Sequence, residues 1–180
     1  MEGNKVKATE KGNGFNIGTY WEWEHYRDGK LIDTWENGNV CTAEGLNALL
    51  DIMFHGSTQI TTWYVGLFNT DTTPADGTTY ATPVWTESVA YDNIAVRATY
   101  DEAAASSKVT TNTASKAAFT MSGTETIYGA FLCGGGSTPT TRQDVAGGGT
   151  IFCAAKFAAA KSVVDNDTLS VTISITVADT

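Results

Sequence analysis

The chain has 180 residues, 42% of them hydrophobic and 17% charged, which is room for one packed domain but not for two of ordinary size. Its formal net charge of −9 speaks against nucleic acid or anionic membrane as a partner, because phosphate binding needs a Lys/Arg surface, and suits a partner that presents basic patches. Three scattered cysteines, Cys41, Cys133 and Cys153, make no disulfide framework and read as reduced, buried residues, with Cys133 and Cys153 able to meet if their strands are neighbours.

Residues 1–14 (MEGNKVKATEKGNG) are polar and carry no apolar signal segment. They read as an N-terminal arm that orders on a neighbouring subunit. Residues 15–40 read as a hairpin. Trp21, Trp23 and His25 alternate with Tyr20, Glu22, Glu24 and Tyr26, so the two sets lie on opposite faces of a strand. Asp28 and Gly29 supply the turn, and Leu31, Ile32, Asp33, Thr34, Trp35 and Glu36 return. The helix is expected at 43–55. Thr42 is its N-cap, and Leu46, Leu49, Leu50 and Met53 recur on one stripe. His55 and Gly56 close it.

Residues 58–180 carry sandwich strands. The segments ITTWYVGLFN, TIYGAFLC, TIFCAAKF and TLSVTISITV have strand composition. In the last, Leu169, Val171, Ile173, Ile175 and Val177 face one way, and serines and threonines face the other. Residues 70–82 read as a turn-rich loop, and residues 134–149 as a glycine-rich one. The fold class expected is mainly β: an antiparallel, jelly-roll-like β-sandwich with one α-helix, forming a single domain over residues 15–180. No run approaches the roughly 20 apolar residues that a membrane helix needs, so a soluble chain made in the cytoplasm is expected.

Signals for chemistry are few. His25 and His55 sit in unrelated contexts, with no HExxH or CxxC that would hold zinc. No GxSxG elbow is present, and the glycine triplets at 134–136 and 147–149 lack the Lys-Ser/Thr of a phosphate loop. Glu22 and Glu24 share one strand face and read as a solvated pair rather than a glycosidase pair. Asp71, Asp76 and Gly77 are a fragment of a calcium loop at the wrong spacing, and Asp165 and Asp167 read as an Asx turn before the last strand. The expectation is therefore no catalytic residue, no metal and no cofactor, with a weak calcium site in either of these two loops as the open alternative.

Aromatics carry more information. Tyr20, Trp21, Trp23, Tyr26 and Trp35 crowd one hairpin, with Phe15 at its start and Trp63 opening a later strand. These seven are the expected protein–protein contact residues, since exposed Trp and Tyr contribute large area at low entropy cost. A hairpin sandwiched in the core and a platform stacking on sugar rings are the alternatives.

A longer pattern runs through residues 39–51 (NVCTAEGLNALLD) into residues 56–68 (GSTQITTWYVGLF). It resembles a family of tailed-phage virion structural proteins, and further pieces extend the likeness over about residues 35–180: Trp85-Thr86-Glu87-Ser88, Tyr91-Asp92, Phe119-Thr120-Met121, Ile127-Tyr128-Gly129-Ala130 and Ser162-Val163-Val164-Asp165. Cys41 stands where that family usually has Val or a similar residue. The resemblance implies a non-enzymatic head decoration or cement protein, located in the virion, with the major capsid protein and copies of itself as partners. A tail- or fibre-associated module, with glycan binding as one form of it, is the other role the likeness allows.

Overall fold

In the computed structural model, residues 15–94, 96–136 and 140–179 are described. The expected arm, residues 1–14, lies outside them. The described residues form two five-stranded antiparallel sheets packed face to face, with one helix. This is the expected β-sandwich. No helix among the described residues is long and apolar enough to cross a membrane.

The first sheet begins with β1 (Phe15–Arg27) and β2 (Lys30–Gly38), joined at Asp28 and Gly29. Both turn residues have positive φ, 50° and 70°, the conformation of a type I′ turn that matches strand twist. β1 lies between β2 and the last strand, β10 (Thr168–Asp179), which also pairs with β6 (Val109–Thr111) and β7 (Ala117–Thr120). The second sheet runs β3 (Val40–Cys41), β9 (Thr150–Val163), β8 (Glu125–Gly134), β4 (Trp63–Phe68), β5 (Ala98–Tyr100).

The main core lies between the sheets. Trp21 and Trp23 from β1 and Leu169, Val171 and Ile173 from β10 meet Ile127, Ala130 and Leu132 from β8 and Val65 and Leu67 from β4. Alternation puts Tyr20, Glu22, Glu24 and Tyr26 on the outer face, as the period of 2 requires. A wide bulge in β9 shapes this core. Ile127 pairs with Lys161 and Gly129 with Lys156, so residues 157–160 stand opposite Tyr128 alone. The bulge turns Phe157 inward, edge-on to both Trp23 (5.2 Å) and Trp35 (5.3 Å).

A second, smaller core covers the outer face of the β8–β9 sheet. The segment between β4 and β5, whose residues 70–82 are the expected turn-rich loop, lays Tyr80 and Trp85 over Phe68, Phe131, Cys133, Ile151 and Ala154. Trp85 stacks on Phe68 at 5.0 Å. The sandwich is thus three layers deep on one side. Cys133 faces this outer core while Cys153, on the neighbouring strand, faces the main one. Opposite sides of one sheet separate the two thiols, which corrects the expectation that adjacency of their strands would let them meet.

Candidate functional site

Helix α1 (Ala43–Phe54) has the expected N-cap. The Thr42 side chain accepts from Gly45 N at 3.0 Å and donates to the Ile151 carbonyl. Glu44 reaches back over the second core, accepting from Ile151 N (2.7 Å) and Tyr80 N (3.0 Å). Beyond the helix, Gly56 turns the chain with φ 76°.

The helix does not bury the stripe its sequence suggests. Gly45 is its one buried residue, and a Cβ there would lie 2.5 Å from Phe152 Cα. The glycine lets the helix backbone rest directly on β9, and Ala48 and Ile52 continue that line half-buried. The adjacent stripe is turned outward: Leu50 is 48% exposed, Met53 66% and Phe54 79%. Leu46, Leu49 and Leu50 face Asn16 and Ile17 across a shallow groove of about 330 Å3. Leu46, Leu49, Leu50 and Met53 share a stripe as expected, but close approach at Gly45 sets the contact line one residue over, leaving Leu46 and Leu49 half-buried and Leu50 and Met53 exposed. Gly45→Ala is expected to lower stability by about 1–3 kcal/mol through backbone overpacking, measured by urea denaturation.

The seven aromatic residues expected at an interface do not share a surface. Trp21 and Trp23 are 0% and 1% exposed inside the main core, so their rings are not offered to a partner. Trp35 is half-buried and stacks flat on Trp23 at 5.6 Å, with Lys161 Nζ over its ring at 4.3 Å from the centroid. Trp63 is half-buried on the opposite sheet against Phe152. Tyr20 is exposed and Tyr26 half-buried on the outer face, while Phe15 opens β1 opposite Asp179. The facing sheet and Phe157 together enclose the inner Trp rings, so the sandwiched hairpin describes them.

Two polar centres lie apart from that surface. In the first, Arg97 donates two bonds of 2.7 Å to Glu87, and both side chains are at most 5% exposed. Arg97 also reaches the Tyr80 hydroxyl at 2.9 Å, and Glu87 accepts from Gln143 N at 2.6 Å. A cavity of about 250 Å3 beside them is floored by Trp85 and Phe131. The charged groups there are engaged with one another, so the cluster acts as a tie between loops. In the second centre, Asp167 accepts from His25 Nε2 (2.8 Å), from Arg27 Nε (2.8 Å) and Nη2 (2.7 Å), and from Val164 N (2.9 Å). The Arg27 hydrogen bond holds its carboxyl far below the usual range, with Val164 N–H and His25 adding to it and burial opposing. On the outer face, Lys116 at 2.8 Å and the Tyr26 hydroxyl at 3.0 Å occupy Glu24. Among the described residues no group of three or more His, Cys, Asp or Glu could hold a metal ion.

The chain matches no family model and no curated protein. The uncovered face of α1 is accordingly the feature on which a functional reading rests. Its sequence signal was Gly45 in line with Ala48 and Ile52, a row of small and apolar residues beside the larger Leu46, Leu49, Leu50 and Met53 row. Two competing rows one residue apart mean that only one can lie against the sheet.

Proposed function

We propose that this chain is a non-enzymatic structural protein of a tailed-phage virion, a cement or decoration protein that binds and stabilises the capsid. The observation that carries the reading is the apolar outer face of α1, ending in Met53 and Phe54 at 66% and 79% exposure. Large apolar side chains grouped on one anchored helix form a docking surface. The sequence likeness described above supports a virion setting. The occupant proposed is a capsid subunit whose apolar groove has a basic rim. Asp51 is exposed beside Leu50, the last helical turn carries no basic residue, and the whole chain is at −9, so charge complementarity favours such a partner over a second copy of the same face. The alternative, a glycan-reading tail or fibre module, loses its expected platform because Trp21 and Trp23 are buried.

The test is binding of recombinant protein to heads of the source phage assembled without it. Wild type is expected to cosediment with the heads and raise their melting temperature. A variant carrying Leu50→Asp and Phe54→Asp is expected to keep its own melting temperature within about 2 °C, since exposed substitutions change stability little, and to lose head binding at least tenfold. Heads indifferent to the wild type would overturn the reading. Dimerisation in solution that disappears in the variant would assign the face to a second copy instead.

A further inference from the structure

The two remaining cysteines are brought together by the fold. Cys41 on β3 stands directly opposite Cys153 on β9. The next pair, Thr42 and Phe152, is joined by the Thr42 N–H bond to the Phe152 carbonyl at 3.0 Å. Hydrogen-bonded and non-hydrogen-bonded pairs alternate in an antiparallel ladder, so Cys41 and Cys153 form a non-hydrogen-bonded pair. Such pairs hold their Cα atoms about 4.5 Å apart, within the roughly 4.4–6.8 Å that a disulfide spans. Their side chains share the core face, Cys153 buried within it and Cys41 packed against it. Cys133 is excluded, since it faces the other side of the sheet.

We infer that Cys41 and Cys153 are a cross-strand dithiol that a small-molecule disulfide, such as oxidised glutathione, converts to a disulfide latching β3 to β9. Cys41 is half-buried and Cys153 fully buried, so the oxidant meets Cys41 first. The Cys41 thiol releases its proton to solvent, and its thiolate attacks one sulfur of the small disulfide. That S–S bond breaks, a mixed disulfide forms, and one small thiol leaves. Cys153 then attacks the Cys41 sulfur, the mixed S–S bond breaks, and the leaving small thiolate takes up the proton that the Cys153 thiol gives up. Two protein thiols lose two electrons in all, and one small disulfide is reduced to two thiols. Burial pushes both protein thiols up, which makes exchange slow and favours a mildly alkaline buffer. Because β3 runs straight into Thr42, the N-cap of α1, the bond would pin the root of the helix to the sheet. The inference holds whatever the helix surface meets.

The experiment incubates folded Cys133→Ser protein with excess oxidised glutathione, then blocks free thiols with an alkylating agent in denaturant and measures the intact mass and the linked peptides. The expected result is complete loss of both alkylation sites, a peptide joining Cys41 to Cys153, and a melting temperature raised by roughly 5–10 °C. The same change is expected in the wild type and not in Cys41→Ser. Two free thiols remaining in the folded Cys133→Ser protein would overturn the inference. So would a Cys133–Cys153 link in Cys41→Ser, or a linked protein that melts no higher than the reduced one.

Discussion

Arg97→Met is expected to lower folding stability by about 3–5 kcal/mol, the loss typical of stranding one partner of a buried ion pair. Arg97 and Glu87 are 2% and 5% exposed, and Glu87 would retain only the Gln143 N–H among its charge-assisted donors. The Tyr80 hydroxyl would also lose a donor. The loss would be felt in the second core, because Glu87 and Arg97 lie in the segment between β4 and β5 and Gln143 in the loop between β8 and β9, two segments that the pair draws together. The control is the double substitution Arg97→Met with Glu87→Leu. Replacing both charges by apolar groups of similar volume removes the stranded carboxylate, so most of the lost stability should return. Urea denaturation of the four proteins in the cycle measures the coupling. A double variant no more stable than Arg97→Met alone would mean that packing, not charge, makes the tie.

Asp167→Ala is expected to lower stability by about 3 kcal/mol at neutral pH. The carboxylate is 1% exposed and serves buried His25, 4% exposed, as well as Arg27. Arg27 is 42% exposed and can turn to water, which keeps the loss at the lower end for a broken buried pair. The pH dependence has a definite sign. Asp167 is held below its ordinary value in the folded protein, first by Arg27, so the unfolded chain binds its proton more readily. Its contribution is full above the unfolded carboxylate value of about 4 and is lost as pH falls below that toward the lower folded value. His25 and Arg27 face it from β1, and the Asp33–Lys161 pair (2.8 Å) closes the same end of the sandwich from β2 and β9. Stability curves of wild type and Asp167→Asn between neutral and acid pH should converge as pH falls. Parallel curves would show that Asp167 does not carry the acid sensitivity.

Much of the secondary structure was legible because its signals are local. Asp28-Gly29 specifies a turn through torsion angles that those two residues adopt themselves. Thr42 caps α1 with its own hydroxyl, and the helix bounds followed. Strand alternation assigned residues 20–26 of β1 and 169–177 of β10 to two faces, and of the expected inward row only the outer end, Val177, is exposed. The candidate site was less legible. The expected aromatic surface dissolved because periodicity says which residues share a face and not which face is covered. The covered face of the helix was open for the same reason, since two apolar rows lay side by side and only the glycine's contact with Phe152 selects between them.

The tie in the second core had no local signal at all. Glu87 and Arg97 are ten positions apart in irregular chain, where charges ordinarily mark solvated loops, and only Tyr80, Trp85 and the sheet beneath make them a buried pair. The partner of Cys153 was equally hidden. Strand adjacency suggested Cys133, but the ladder register gives opposite faces to those two and a shared face to Cys41. Composition, alternation and turn chemistry therefore suffice for an acidic, mainly β domain with one capped helix. Those properties depend on neighbours along the chain. Burial of the Trp rings, exposure of Met53 and Phe54 and the meeting of Cys41 with Cys153 come from strand register and the close approach of backbones distant in sequence.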